Sequence, residues 1–408
     1  MNRMTASYAT LGLLLLATVF IGGQCGGETS DTPGVTDKTI KVGNTNPYSG
    51  PASSYGTIGR AIEGYFKMVN EQGGINGRQI EFITYDDGYS PPKTVEQIRR
   101  LVEQDEVAFL FQTLGTPTNT AIWEYVNQMK VPHLFVATGA TKWGDPQGHP
   151  WTIGFQPNYQ TESKIYAKYI LEKFPNAKIG ILYQNDDYGK DYLLGFKDGL
   201  GEAGQRMIVA EVSYEVTDPT IDSQIVSLKD SGADVFFNIS IPKFAAQSIR
   251  KISEIGWKPV HFLNNVSQSV AAVMKPAGLK RSKGIISTRF FKDPSDPEWA
   301  DDPAVIEWRK WISEYYPDGN PDEPFNAYAY IASQLLHHVI EKCGDNLSRE
   351  NIMAEAANIK DLELSMLLPG MRINTSSTDF YPIEQMQLMK FDGERWRAMG
   401  GLIDTSSS

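Results

Sequence analysis

The chain has 408 residues, 41% of them hydrophobic and 21% charged, with a formal net charge of −11. That length exceeds one simple core and points to two domains, and the acidic balance repels phosphate backbones, which argues against nucleic acid as a partner. The only cysteines, Cys25 and Cys343, make no disulfide framework.

Residues 1–24 read as an export signal. Arg3 precedes "ATLGLLLLATVFI", an apolar run of signal length that is too short to span a bilayer comfortably. Residues 25–37 read as a flexible polar tether. A cysteine after small residues and before Gly26 and Gly27 resembles a bacterial lipoprotein site, which implies lipid attachment at Cys25. Gln24 departs from that pattern, which places a small residue there; ordinary cleavage and a retained anchor are the alternatives. All three put the body of the chain in the periplasm or on the outer face of the cytoplasmic membrane.

From Thr39 short β-branched runs alternate with stretches of helical period. "TIKVGNT" precedes a helix near Thr57 to Glu71. "RQIEFITYD" precedes one near Pro92 to Gln104. "VAFLFQ" precedes "PTNTAIWEYVNQMK", and "VPHLFVAT" closes the series. Few charges in the runs predict a parallel sheet covered on both faces. A second series starts near Tyr159 with "TESKIYAKYILEKF" and "AKIGILYQ" and ends with "PVHFLNN" and "KGIISTRFF". After Phe291 come an acidic, Pro-studded loop and three helical segments, with Ser348 placed to cap the last. The closing "FYPIEQMQLMKFDGERW" alternates like an antiparallel strand with a Gly turn. The expected fold is α/β: two doubly wound, Rossmann-like lobes joined by a multi-strand hinge. Residues 38–157 with 288–375 form the first lobe, and 158–287 with 376–401 the second.

Ligands of open parallel sheets bind beyond the carboxyl ends of the strands. The loops there are "NPYSGPASSYG", "YDDGYSPP", "QTLGTPTNT", "ATGATKWG", "QNDDYGKD", "NISIPKF" and "NNVSQS". Each alone is a turn or a helix start; Thr116, for instance, reads as the N-cap before Pro117. Their recurrence at equivalent strand ends of both halves makes them a site. Small and hydroxylic residues let backbone amides approach a ligand, and a helix start adds about half a positive charge, which suits a carboxylate. Tyrosines supply apolar walls with a hydrogen-bonding tip. Trp143, Trp151 and Trp257 read as lobe-edge packing. No P-loop, G-x-S-x-G elbow or G-x-G-x-x-G fingerprint follows a strand. His337 and His338 are adjacent on a helix and share no metal face. The sequence therefore offers no catalytic residue, no metal and no cofactor.

"GPASSYG", "NEQGGINGR", "YDDGYSPPKTV" and "DDYGKD" together resemble the periplasmic leucine/isoleucine/valine-binding proteins, the solute receptors of ABC importers. The resemblance spans about Thr36 to Trp396. It implies the type I periplasmic binding protein fold, a monomer that hands a small molecule to ABC permease membrane subunits, and no enzymatic activity. The ligand it implies is of branched-chain or hydrophobic amino acid type. It places the ligand on Tyr55; on Thr116, Pro117 and Thr118; on Thr138, Gly139, Ala140 and Thr141; and on Tyr188. In the second lobe Asn238, Asn264 and Asn265 stand where the family has a tyrosine and the glutamate that holds the α-ammonium. A buried ammonium needs a carboxylate or several carbonyls. An aromatic or aliphatic carboxylate, or a short amide, is therefore the alternative ligand, unless Asp86, Asp87 or Asp187 replaces the missing charge. A ligand-sensing module for a signalling partner is the alternative role.

Overall fold

The computed structural model describes residues 32–404. The signal, Cys25 and the tether through residue 31 lie outside the described residues. The end of the tether is structured: Val35 is buried and bridges Ile40.

The first sheet is built from β1 (Thr39–Asn46), β2 (Gln79–Asp86), β3 (Phe109–Phe111) and β4 (His133–Leu134), all parallel, in the order β2-β1-β3-β4. Its helices are α1 (Thr57–Glu71), α2 (Pro91–Glu103) and α3 (Thr116–Gln128). On α1, Ile58, Ala61, Ile62, Tyr65, Phe66 and Val69 are buried, one face of a 3.6-residue period. The strand expected over "VPHLFVAT" is only two residues long because Phe135, with φ +54°, turns the chain out of the sheet.

The second sheet is larger. The elements are α4 (Tyr159–Lys173), β5 (Ile179–Gln184), α5 (Asp187–Gln205), β6 (Ile208–Tyr214), α6 (Asp222–Asp230), β7 (Val235–Ile239), α7 (Pro242–Glu254), β8 (Val260–Leu263), one-turn helices α8 (Lys275–Ala277) and α9 (Leu279–Ser282), and β9 (Ile286–Arg289). The chain then leaves through α10 (Pro303–Tyr315), α11 (Pro324–Cys343) and α12 (Arg349–Ala356), and returns as β10 (Gln385–Phe391) and β11 (Trp396–Asp404). The strand order is β11-β10-β9-β8-β7-β5-β6; β5 to β9 run parallel, β10 runs antiparallel to β9, and β10 forms an antiparallel hairpin with β11. Helices α4 and α5 touch backbone to backbone. A side chain at Gly195 would meet Gln160 Cα at 2.2 Å.

The late helices lie against the first sheet's helices. The Asn326 amide oxygen accepts from Thr57 at 2.5 Å, His337 Nδ1 lies 3.2 Å from Tyr65 Oη, and Arg349 donates to Val107 O and Ala108 O. Ser348 caps α12 through Asn351 N–H. Helix α11 is buried nearly all round, as expected of a helix with protein on every side. The chain thus passes between the sheets after β4, after β9 and before β10, giving two lobes with the carboxyl ends of their strands facing a common gap.

Candidate functional site

That gap is a cavity of about 60 Å³. The first sheet contributes Tyr55 and Ile58 after β1, Tyr89 after β2, Leu114, Gly115 and Thr116 after β3, and Ala137 after β4. The second contributes Tyr188 after β5, Ile241 after β7, and Asn265, Val266 and Gln268 after β8. Gln156 and Phe291 from the connecting segments, Tyr159 at the start of α4, and Pro324, Phe325 and Tyr328 from α11 complete the wall. None of these lining residues is an acid, a lysine, an arginine or a histidine. Burial pushes the Tyr55, Tyr89, Tyr188 and Tyr328 phenols well above their ordinary value, so all are neutral O–H groups near neutral pH.

The first-lobe end is shaped by backbone conformation. Gly115 has φ +105° and precedes the first turn of α3. A Cβ there would lie 2.6 Å from the Tyr89 ring and from Thr118 Oγ1. Tyr89 and Gln112 are themselves left-handed, with φ +61° and +52°, a conformation that non-glycine residues hold only when the surroundings enforce it. A buried polar layer provides that support. Asn44 donates to Phe111 O and Gln112 O, Asn119 donates to Thr113 O and Gly115 O, and the Thr113 hydroxyl donates to Asn119 Oδ1. Thr116 does not act as the N-cap expected from sequence. Gly115 occupies that position and no side chain caps the helix, so the Thr116 hydroxyl turns to Thr138 Oγ1, 2.6 Å away.

The second-lobe wall hangs on Glu162 of α4, 1% exposed. Its carboxylate accepts from Tyr166 Oη at 2.7 Å, Tyr192 Oη at 2.6 Å and Asn265 N at 2.7 Å. Burial raises its pKa to about 7 against those hydrogen bonds, which lower it. Asp186 caps α5 through Tyr188 N and Gly189 N. Asn264 Nδ2 donates to Tyr188 Oη at 2.7 Å and fixes the phenol over the cavity.

Hydrogen bonds also cross the gap. Tyr55 Oη donates to Val266 O at 3.0 Å, and Ser269 Oγ donates to Glu323 Oε2 at 3.0 Å. Lys142 Nζ reaches Asp187 Oδ2 at 2.7 Å, and Thr141 donates through N and Oγ1 to Asp191 Oδ2. This is a closed arrangement of the lobes.

Of the residues expected at the site, Tyr55, Thr116, Tyr188 and Asn265 line the cavity. Thr138, Gly139, Ala140 and Asn264 stand one layer behind: Gly139 O accepts from Tyr159 N, and Ala140 N donates to Thr138 Oγ1. Thr118 donates back to Leu114 O and Gly115 O, and Pro117 lies inside α3 beyond the cavity wall. Thr141 belongs to the cross-lobe contacts. Asn238 is buried beneath the wall, accepting from Ser240 Oγ and lying 3.2 Å from His261 Nε2. The acids considered as stand-ins do not line the cavity. Asp86 accepts from Ser49 N and Gly88 N, Asp87 from Tyr89 N and Thr94 Oγ1, and Asp187 pairs with Lys142. Trp143 and Trp257 are buried packing residues, as read from sequence. Tyr89 and Gln268 lie in the strand-end loops named from sequence but are not singled out there; Gln156, Tyr159, Phe325 and Tyr328 lie outside those loops and are not anticipated.

A family model for periplasmic binding proteins matches residues 39–395. The chain is 25% identical over 345 residues to a Leu/Ile/Val-binding protein homolog 1 of Brucella suis, covering 83% of this chain and 85% of that protein. It superposes with a TM-score of 0.81 on a branched-chain amino acid ABC transporter structure from Thermus thermophilus with bound valine, at 14% identity over 90% of this chain and 97% of that one. A fatty acid ABC transporter substrate-binding protein from Thermomonospora curvata gives 0.76, at 23% identity over 93% and 95%.

Proposed function

The chain belongs to the periplasmic binding protein family, and from that premise we propose that it is the extracytoplasmic receptor of an ABC importer. It captures one small organic molecule between its lobes and presents the closed form to permease subunits. The observation that carries this reading is the cavity itself: it is bounded by strand-end loops of both sheets and bridged by hydrogen bonds such as Tyr55 to Val266. Such a cavity excludes water and holds a guest, and its lining carries no charged group to drive chemistry on it. The apolar walls, Ile58, Leu114, Phe291, Phe325 and the tyrosine rings, suit an apolar body of the size of a hydrophobic amino acid side chain, and the valine bound by the Thermus thermophilus neighbour is a ligand of that size. Closure is a hinge motion of the kind such folds use to enclose ligands. The leader and Cys25 fit a receptor held at the outer face of the cytoplasmic membrane.

Calorimetric titration tests the reading with hydrophobic amino acids, their deaminated acids and short amides. A binder saturates at one site per chain and raises the melting temperature with the logarithm of its concentration. Conversion of the bound compound to a product, or saturation at several equivalent sites per chain, contradicts it.

A further inference from the structure

The cavity's outer partners fix which way its hydrogen bonds point. Ala140 N–H and Trp143 Nε1–H each donate to Thr138 Oγ1 at 3.3 Å. That hydroxyl also bonds to the Tyr159 phenol, so its proton goes to Thr116 Oγ1, 2.6 Å away, or to Tyr159 Oη. The proton of whichever hydroxyl receives it is left for the cavity, which Thr116 and Tyr159 both line. On the facing wall Tyr188 Oη accepts from Asn264 Nδ2, which leaves the phenol proton to donate. Gln268 is 4% exposed. Arg289 Nε, which can only donate, lies 3.4 Å from Gln268 Oε1, so the amide turns its Nε2 hydrogens away from Arg289, where no acceptor among the described residues meets them.

Three cavity residues from both lobes therefore present donors, and acceptors are few and neutral. Asn265 gives its N–H to Glu162 and its Nδ2 to Thr288 O, so Oδ1 is the acceptor it has left. The acids nearest in sequence or contact are already engaged and do not line the cavity: Glu162 by three donors, Asp186 by Gln184 Nε2, Tyr188 N–H and Gly189 N–H, and Glu323 by Phe325 N–H and Ser269 O–H. An ammonium placed here loses its hydration with no carboxylate to replace it, whereas a carboxylate meets hydrogen-bond donors.

We propose that the site takes a small organic acid with an apolar tail and no ammonium group, and rejects the α-amino acid of the same carbon skeleton. This assignment rests on the receptor reading above. Thr116, Tyr188 and Gln268 are its specificity-determining residues.

The test is calorimetry on the mature chain with matched sets: 4-methylpentanoate, 4-methylpentanamide and L-leucine; 3-phenylpropanoate, 3-phenylpropanamide and L-phenylalanine. The acid of at least one set binds roughly tenfold or more tightly than both of its partners. The Thr116→Val variant, equal in shape but without the hydroxyl, loses roughly tenfold toward the acid and also lowers the ligand-free melting temperature through the lost Thr138 bond, and Thr116→Ser restores both. An amino acid that binds as tightly as its acid overturns the assignment and leaves the receptor reading standing. Preference for the amide, or silence from both sets, also overturns it. The receptor reading is judged separately, on whether any stabilising compound closes the lobes.

Discussion

Replacing Glu162 with alanine is expected to destabilise the protein by about 3–5 kcal/mol. Three donors converge on that carboxylate. Tyr166 Oη has Leu263 O and Thr288 Oγ1 within 3.2 Å to turn to, but the Tyr192 hydroxyl and the Asn265 amide lose their acceptor in a buried region, and each such group loses on the order of 1–3 kcal/mol. The removed side chain also leaves a void between α4 and β8. Ligand binding falls with it, because Asn265 N–H is what ties the loop after β8 to α4. Chemical denaturation measures the change; a loss under about 1 kcal/mol would show that Glu162 is not the support of this wall.

The same residue predicts a pH effect. Its folded-state pKa of about 7 lies above the ordinary glutamate value of 4.5. The folded chain therefore holds an extra proton in that interval, and stability declines as pH rises through it. Glu323 and Glu384, also raised by burial to about 7, act in the same direction. His133 and His261, held neutral by burial with values near 3, act oppositely, but below their ordinary value of 6.5. The decline is thus read between about pH 4.5 and 7, offset in part by these histidines up to about 6.5, and Glu162→Gln flattens its own share of it.

Gly115→Val is expected to weaken ligand binding by roughly 100-fold or more. Two effects add. At φ +105° a β-branched residue carries backbone strain on the order of 1–3 kcal/mol. Its Cβ also falls 2.6 Å from the Tyr89 ring and Thr118 Oγ1, so the loop that presents Thr116 has to move. Gly73→Val separates them. Gly73 has φ +104°, a Cβ there would meet nothing within 4 Å, and the residue lies outside the cavity. That variant lowers the melting temperature and leaves affinity intact. Equal loss of affinity in both variants would show that strain anywhere in the first lobe, rather than the shape of this loop, sets binding.

Strand-end loops are legible because their composition is at odds with a mere turn: small, hydroxylic and amide residues, with tyrosines interspersed, gather at the strand ends of both halves. Tyr55, Thr116, Tyr188 and Asn265 follow from that rule and from the resemblance it supports. Tyr328 and Phe325 do not, because α11 is apolar on nearly every face and periodicity does not separate a cavity wall from a core. Tyr89 needs a left-handed backbone that tyrosine gives no hint of. Glu162 reads in sequence like any exposed helical acid; only the approach of Tyr166, Tyr192 and the loop after β8 makes it a buried hub. The shortness of β4 has the same kind of cause, a turn at Phe135 imposed by tertiary contacts.

Capture requires two lobes to close around a guest, and small-angle X-ray scattering of the mature chain measures that most directly. With a saturating compound that raises the melting temperature, the radius of gyration falls to that of the closed arrangement, in which Lys142 meets Asp187 and Tyr55 meets Val266. A scattering profile that stays the same while the melting temperature rises would contradict it.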